Sequence, residues 1–122
     1  MKIKDRLTPG QSQRLIELGV APSKASGFEY LDPYGLDDAI PTGVPLFTLS
    51  DILSLLPKEL CNRINGIRYD CHLSMYGYNK TWGAMYRLDD GDDFLVVFES
   101  PELIDALYKL LVWSITNQHL KL

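Results

Sequence analysis

Two cysteines and two histidines, Cys61, Cys71, His72 and His119, are the side chains best suited to hold a metal or act as a nucleophile. Cys71 and His72 are neighbours in a segment that alternates apolar and polar residues. Adjacent strand side chains point to opposite faces, so the pair cannot grip one ion. Ten positions separate Cys61 from Cys71, which is not a zinc spacing, and no third and fourth ligand follow. A buried Cys71 and a surface His72 are expected instead. Four carboxylates crowd into Asp89, Asp90, Asp92 and Asp93 around Gly91. They lack the ligand spacing and the distal glutamate of a calcium loop, and read as a solvated hairpin turn. A turn tip also denies two carboxylates the contrasting environments that acid–base chemistry needs. Neither a G-x-S-x-G elbow nor a glycine-rich phosphate loop occurs, and Cys71 has no base beside it. The reading assigns no catalytic residue, no metal ligand and no cofactor, and expects a non-enzymatic protein.

The stretch from Lys58 to Arg87 offers different chemistry. Its bases are interleaved with aromatic residues, a composition that single-strand readers use to stack bases and meet phosphates. Arg68, Lys80, Arg87, Tyr78 and Trp82 are the residues of that alternative, a nucleic-acid accessory protein. Against it, tyrosine and tryptophan on short strands usually pack into a core, and no RNP-like motif is present. The whole chain has 12 Lys and Arg against 16 Asp and Glu, a net charge of −4, and such a field opposes approach to a polyanion. The charge is uneven. Residues 1–24 and the stretch Lys58–Arg87 each carry five bases against two acids, whereas Asp89 to Asp105 holds seven acids and no base. A patchy surface of this kind supports local contacts that the total conceals.

These residues must be held by a small set of elements. Thr8, Pro9 and Gln11 form a capping-box start for a first helix, which Gly19 ends. A second helix opens near Thr48 or Ser50 and carries on through Leu60, with a break or new turn at Pro57. Ile67, Tyr69, Cys71, Leu73 and Met75 alternate with polar residues and mark a strand. Trp82, Ala84, Tyr86 and Leu88 mark the next, and Phe94 to Phe98 the third. Short connections make the three an antiparallel meander. Ser100 as N-cap and Pro101 at the first position open a last helix that runs to about Asn117. The expected fold is α+β, in one domain over 1–122: two N-terminal helices joined by a long loop, a three-stranded antiparallel meander, and a C-terminal helix packed on the sheet.

Two features point to a partner. Residues 26–47 form a long irregular loop with three prolines and three glycines, yet they retain Phe28, Tyr30 and Tyr34, which a solvated linker seldom carries. The last helix is apolar over most of its girth, so its outer residues Tyr108, Val112 and Trp113 need a second cover besides the sheet. These six residues are the candidate interaction surface, for a protein partner or for a second copy in a homo-oligomer. No stretch is long and apolar enough to span a bilayer, and neither an export signal nor a lipidation motif is readable. Two cysteines then read as reduced thiols, and a cytoplasmic address without membrane attachment is expected.

The runs Leu7-Thr-Pro-Gly-Gln-Ser-Gln-Arg-Leu-Ile-Glu-Leu-Gly19, Phe47-Thr-Leu-Ser-Asp-Ile-Leu-Ser-Leu-Leu-Pro-Lys58 and Glu102-Leu-Ile-Asp-Ala-Leu-Tyr-Lys-Leu-Leu-Val-Trp113 resemble a set of small bacterial proteins of phages, prophages and other mobile elements. That resemblance rests on caps, apolar stripes and one helix-ending proline, and brings no established activity and no site residue with it. It implies an accessory protein that acts on or beside a larger machine.

Overall fold

A computed structural model describes residues 4–28 and 45–120. Helix α1 spans Pro9–Glu17, and the Thr8 side chain accepts from the Gln11 backbone while Gln11 answers onto the Thr8 N–H, so the expected capping box is formed. Gly19 closes the helix at φ 110°, and Val20 folds back to donate to the Leu15 carbonyl at 3.0 Å. A 3-10 turn, Pro22–Lys24, leads to strand β1, Gly27–Phe28, which pairs antiparallel with β2, Pro45–Leu46. Helix α2, Leu49–Leu55, starts on a second capping box, between Thr48 and Asp51.

A four-stranded antiparallel sheet follows: β3 Glu59–Ile64, β4 Ile67–Tyr78, β5 Thr81–Leu88 and β6 Phe94–Ser100, in that spatial order. Helix α3, Leu103–Thr116, completes the chain. The α+β class therefore holds, with one more strand in the main sheet than the sequence led us to expect and the short β1–β2 pair besides. Residues 59–64 are not the tail of the second helix. Pro57 denies that helix a further N–H, and Asn65-Gly66, both at positive φ, forms the tight turn that folds β3 onto β4. A second correction concerns the last helix. Ser100 still belongs to β6, and the N-cap position falls on Glu102, whose side chain makes no capping bond. That carboxylate accepts from the Lys4 backbone N–H at 3.2 Å instead. Of the expected irregular loop over 26–47, the two ends are the β1–β2 pair; residues 29–44, with Tyr30 and Tyr34, lie outside the described residues.

Directly opposed residues share a face of a sheet, so the register sorts the side chains. Leu60, Cys71 and Leu88 fall on the inner face, as do Leu73, Tyr86, Val96, Ala84 and Phe98, and all of them belong to or pack against the hydrophobic core. Helix α3 lies across β5 and β6, and α2 packs on it in turn. Its Ile104, Ala106, Leu107, Leu110 and Leu111 are wholly buried. Tyr86 crosses the core and donates its hydroxyl to the Pro57 carbonyl at 2.7 Å, and burial pushes its pKa up to about 12. The N-terminal segment is fastened by Asp105 of α3, which accepts from Lys4 Nζ at 2.7 Å and Gln11 Nε2 at 2.9 Å. The second cover that the helix needs thus comes largely from its own chain.

Candidate interaction surface

Among the described residues, one apolar flank of α3 is left only partly covered. Tyr108, Val112 and Trp113 are half-buried and, with Phe98 of the neighbouring edge strand β6 and the stem of Lys109, line a shallow, almost wholly apolar groove. Tyr108 and Val112, four apart, lie one above the other on the helix, and Trp113 flanks Val112 as the next residue round. Lys109 is held at the rim by donating Nζ to the Glu99 carbonyl at 3.1 Å. The groove floor is stiff. Trp113 lies 6.2 Å from the buried Tyr86 ring, centroid to centroid, and His119 stacks on its far side at 4.7 Å. Burial raises the Tyr108 hydroxyl above its ordinary range, with Arg14 pulling it back in part. The same desolvation lowers His119, which favours its neutral ring at the groove end. Of the remaining three residues expected at this surface, Phe28 has only its backbone described, in β1, and Tyr30 and Tyr34 lie outside the described residues.

The basic and aromatic set is divided by the sheet. Arg68, Tyr78 and Arg87 sit on the outer face, Trp82 falls on the inner face opposite Gly77, and Lys80 occupies the β4–β5 turn. Nor are the two arginines idle. Arg68 Nε donates to Asp70 at 2.9 Å and Arg87 donates to Asp92 at 2.8 Å. Trp82 lies against Gly77, where an added Cβ would come within 2.9 Å of its ring. Tyr76, on the outer face, covers Gly83 in the same manner and donates its hydroxyl to Glu99. Each glycine of this hairpin is thus roofed by an aromatic residue from the other strand.

The acid–base groups of the outer face are open to water. His72 Nδ1 and Asp89 are 2.7 Å apart, with both side chains about half exposed, and Cys61 is exposed beside them. Cys71 is buried on the inner face, and its thiol is raised by burial first and then by the carboxylates of Asp89 and Asp70. The two thiols therefore point away from each other. Among the described residues, no group of three or more His, Cys, Asp or Glu side chains is placed to hold a metal ion, and no helix is long and apolar enough to cross a membrane.

Sequence reasoning overlooked a second bare region. Ile64 and Ile67 face each other at the tip of the β3–β4 hairpin and are 45% and 58% exposed, and Phe94 at the start of β6 is 52% exposed. The signal was available in Asn65-Gly66 between two isoleucines, but without the strand β3 it had no place to act. Comparison of the chain with protein-family models, curated proteins and solved structures gives no match.

Proposed function

We propose that this chain is a non-enzymatic protein-interaction module that receives a protein partner on the outer flank of α3. The observation that carries the reading is the groove between α3 and β6: the helix is otherwise covered by its own sheet and by α2, yet Phe98, Tyr108, Val112 and Trp113 leave a continuous apolar strip open to solvent. Apolar strips with a cationic rim mark protein contacts more often than they mark small-ligand sites, which are concave and enclosed. Two unpaired thiols suit a reducing compartment, and a cytoplasmic accessory role beside a larger assembly is the setting this reading favours.

The test is capture from the native cell with partners identified by mass, run on the wild type and on Val112→Glu. The half-exposed position tolerates a charge, so the variant should fold with an unchanged circular-dichroism spectrum and lose the partner. A partner retained at full yield by a folded Val112→Glu and by Tyr108→Ala would overturn the assignment of this flank.

A further inference from the structure

A separate surface, independent of the α3 groove, lies at the end of the sheet where β4 outruns β5. Strand β4 begins at Ile67, but β5 ends at Leu88, opposite Cys71. Its first four residues therefore pair only with β3, and the two strands project as a ribbon. That ribbon carries two local costs. Ile64 and Ile67 keep about half of their surface in water, which burial against a partner would recover. On the opposite face Arg63 stands directly across from Arg68, an arrangement of like charges that destabilises a strand pair. Arg68 is answered by Asp70, while Arg63 has no acidic partner among the described residues.

The complement sits next to it. The β5–β6 turn is tied to the ribbon by the Asp89 N–H donating to the Asp70 carbonyl at 3.0 Å. Asp89 faces His72, and Asp92 faces Arg87. Asp90 and Asp93 are exposed and have no cationic partner among the described residues. They line a depression together with Ile67, Tyr69 and Leu88 and with the paired Arg68 and Asp70, and Phe94 follows them in the chain. One end of the molecule thus offers an apolar projection with an unpaired arginine beside a hollow of mixed polarity with two unpaired carboxylates.

We infer that this end is a self-association surface, whose occupant is a second copy of the chain related by a two-fold axis. A two-fold contact is isologous, so each projection meets the other copy's hollow. Ile64 of each copy enters the hollow of its mate, and Arg63 of each reaches Asp90 and Asp93 of the other. Because projection and hollow lie side by side, the contact closes on itself and leaves no free end to propagate into a fibre. The charge pattern selects this occupant. A polyanion is repelled by Asp90 and Asp93 and a basic partner by Arg63, whereas a second copy brings both signs to the contact.

The test is a reciprocal charge swap read by sedimentation velocity across a concentration series. The wild type is expected to dimerise reversibly, more weakly at high salt. Arg63→Glu alone and the pair Asp90→Lys with Asp93→Lys should each weaken the dimer by about tenfold or more, since each places like charges across both contacts. All of these positions are exposed, and unchanged melting curves would verify that both variants fold. Mixing the two variants should restore a heterodimer, because at one contact the introduced glutamate then faces the introduced lysines, while the other contact keeps Arg63 against Asp90 and Asp93. A wild type that stays monomeric at every concentration, or two weakened variants that fail to rescue each other, would overturn the inference. So would a dimer indifferent to both swaps; its loss on Val112→Glu would place self-association on α3, whereas failure of the swaps leaves capture of a different protein by α3 standing.

Discussion

The two hairpins of the sheet that turn on a pair of residues are built alike and finished differently. Both turns put their central residues at positive φ, Asn65 and Gly66 in one, Asn79 and Lys80 in the other, the geometry that matches the twist of antiparallel strands. Beyond the turns the likeness stops. At the β4–β5 end, Tyr76 roofs Gly83 on one face and Trp82 roofs Gly77 on the other, so large aromatic surfaces are spent on the hairpin itself. At the β3–β4 end Ile64 and Ile67 are left about half open. A sheet end that supplies its own cover is complete, and one that bears bare isoleucines beside unmatched charge is unfinished until something docks there. Exposure alone would not separate the two, since Tyr78 is 79% exposed at the finished end; the difference lies in whether the neighbouring residues are engaged.

That contrast can be broken or sharpened by substitution, with the covered centre of the fold as the reference. Leu110, fully buried under α3, is expected to cost about 3 kcal/mol or more on truncation to Ala, through lost burial and the cavity left behind, measured by denaturant unfolding. A loss below that of the hairpin variants would mean that α3 is not the keystone of the core. Gly83→Val comes next. Its side chain collides with the Tyr76 ring, so a destabilisation of about 2 kcal/mol is expected, and most of it should vanish in a Tyr76→Ala background. Failure of that rescue would show that the aromatic roof is not what finishes this end.

Acid should act on the covered side of the fold. Burial alone would raise Asp51 and Asp105. Asp51 is nevertheless held below the ordinary 3.8 by hydrogen bonds from the Ser26 side chain and from the Thr48 and Ser26 backbone. Asp105 is lowered by hydrogen bonds from Lys4 and Gln11 and by the charges of Lys4 and Lys109. A carboxylate whose folded pKa lies below its unfolded one contributes stability that is complete above the unfolded value and is lost as pH falls through the folded one. Melting temperature should therefore hold steady down to about pH 4 and fall beneath it, with a flatter acid limb in the variant Asp51→Asn with Asp105→Asn. The smallest effect belongs to the unfinished end: Ile67→Thr keeps β-branching and should change monomer stability by less than about 0.5 kcal/mol. A loss of 2 kcal/mol there would mean that the ribbon tip is already packed, and the contrast between the ends would fail.

What the sequence disclosed follows from the range of the interactions. The capping box at Thr8, the start of α2 near Thr48, the left-handed Gly19 and the alternation from Ile67 to Met75 are set by residues within a few positions of one another, and each is present in the fold. The strand Glu59–Ile64 was hidden because Leu60 extends the apolar run of α2 and only the pairing with β4 decides its conformation. Ser100 looked like a cap because Pro101 follows it, but pairing of Ser100 with Trp82 prolongs the strand past that point. For the apolar flank of α3, Tyr108, Val112 and Trp113 were identifiable from helical spacing. Their depth was not, because the cover supplied by α2 and the N-terminal segment depends on Asp105 meeting Lys4 and Gln11 across about a hundred residues of chain. Cross-strand roofing of Gly77 and Gly83 likewise needs the register, which no local pattern specifies.

The collar formed where β1 meets β2 has a practical corollary. Gly27 lies opposite Leu46 and Phe28 opposite Pro45, the Ser26 hydroxyl and N–H both donate to Asp51, and the Phe47 N–H donates to Ser12 at 3.2 Å. A foreign peptide spliced between Phe28 and Pro45 would enter and leave through one ready-made port, and lengthening such an insert adds only a slowly growing entropy cost. Phe28 and Pro45 are therefore held side by side, and any length of chain joining them starts and ends at one junction stitched by backbone.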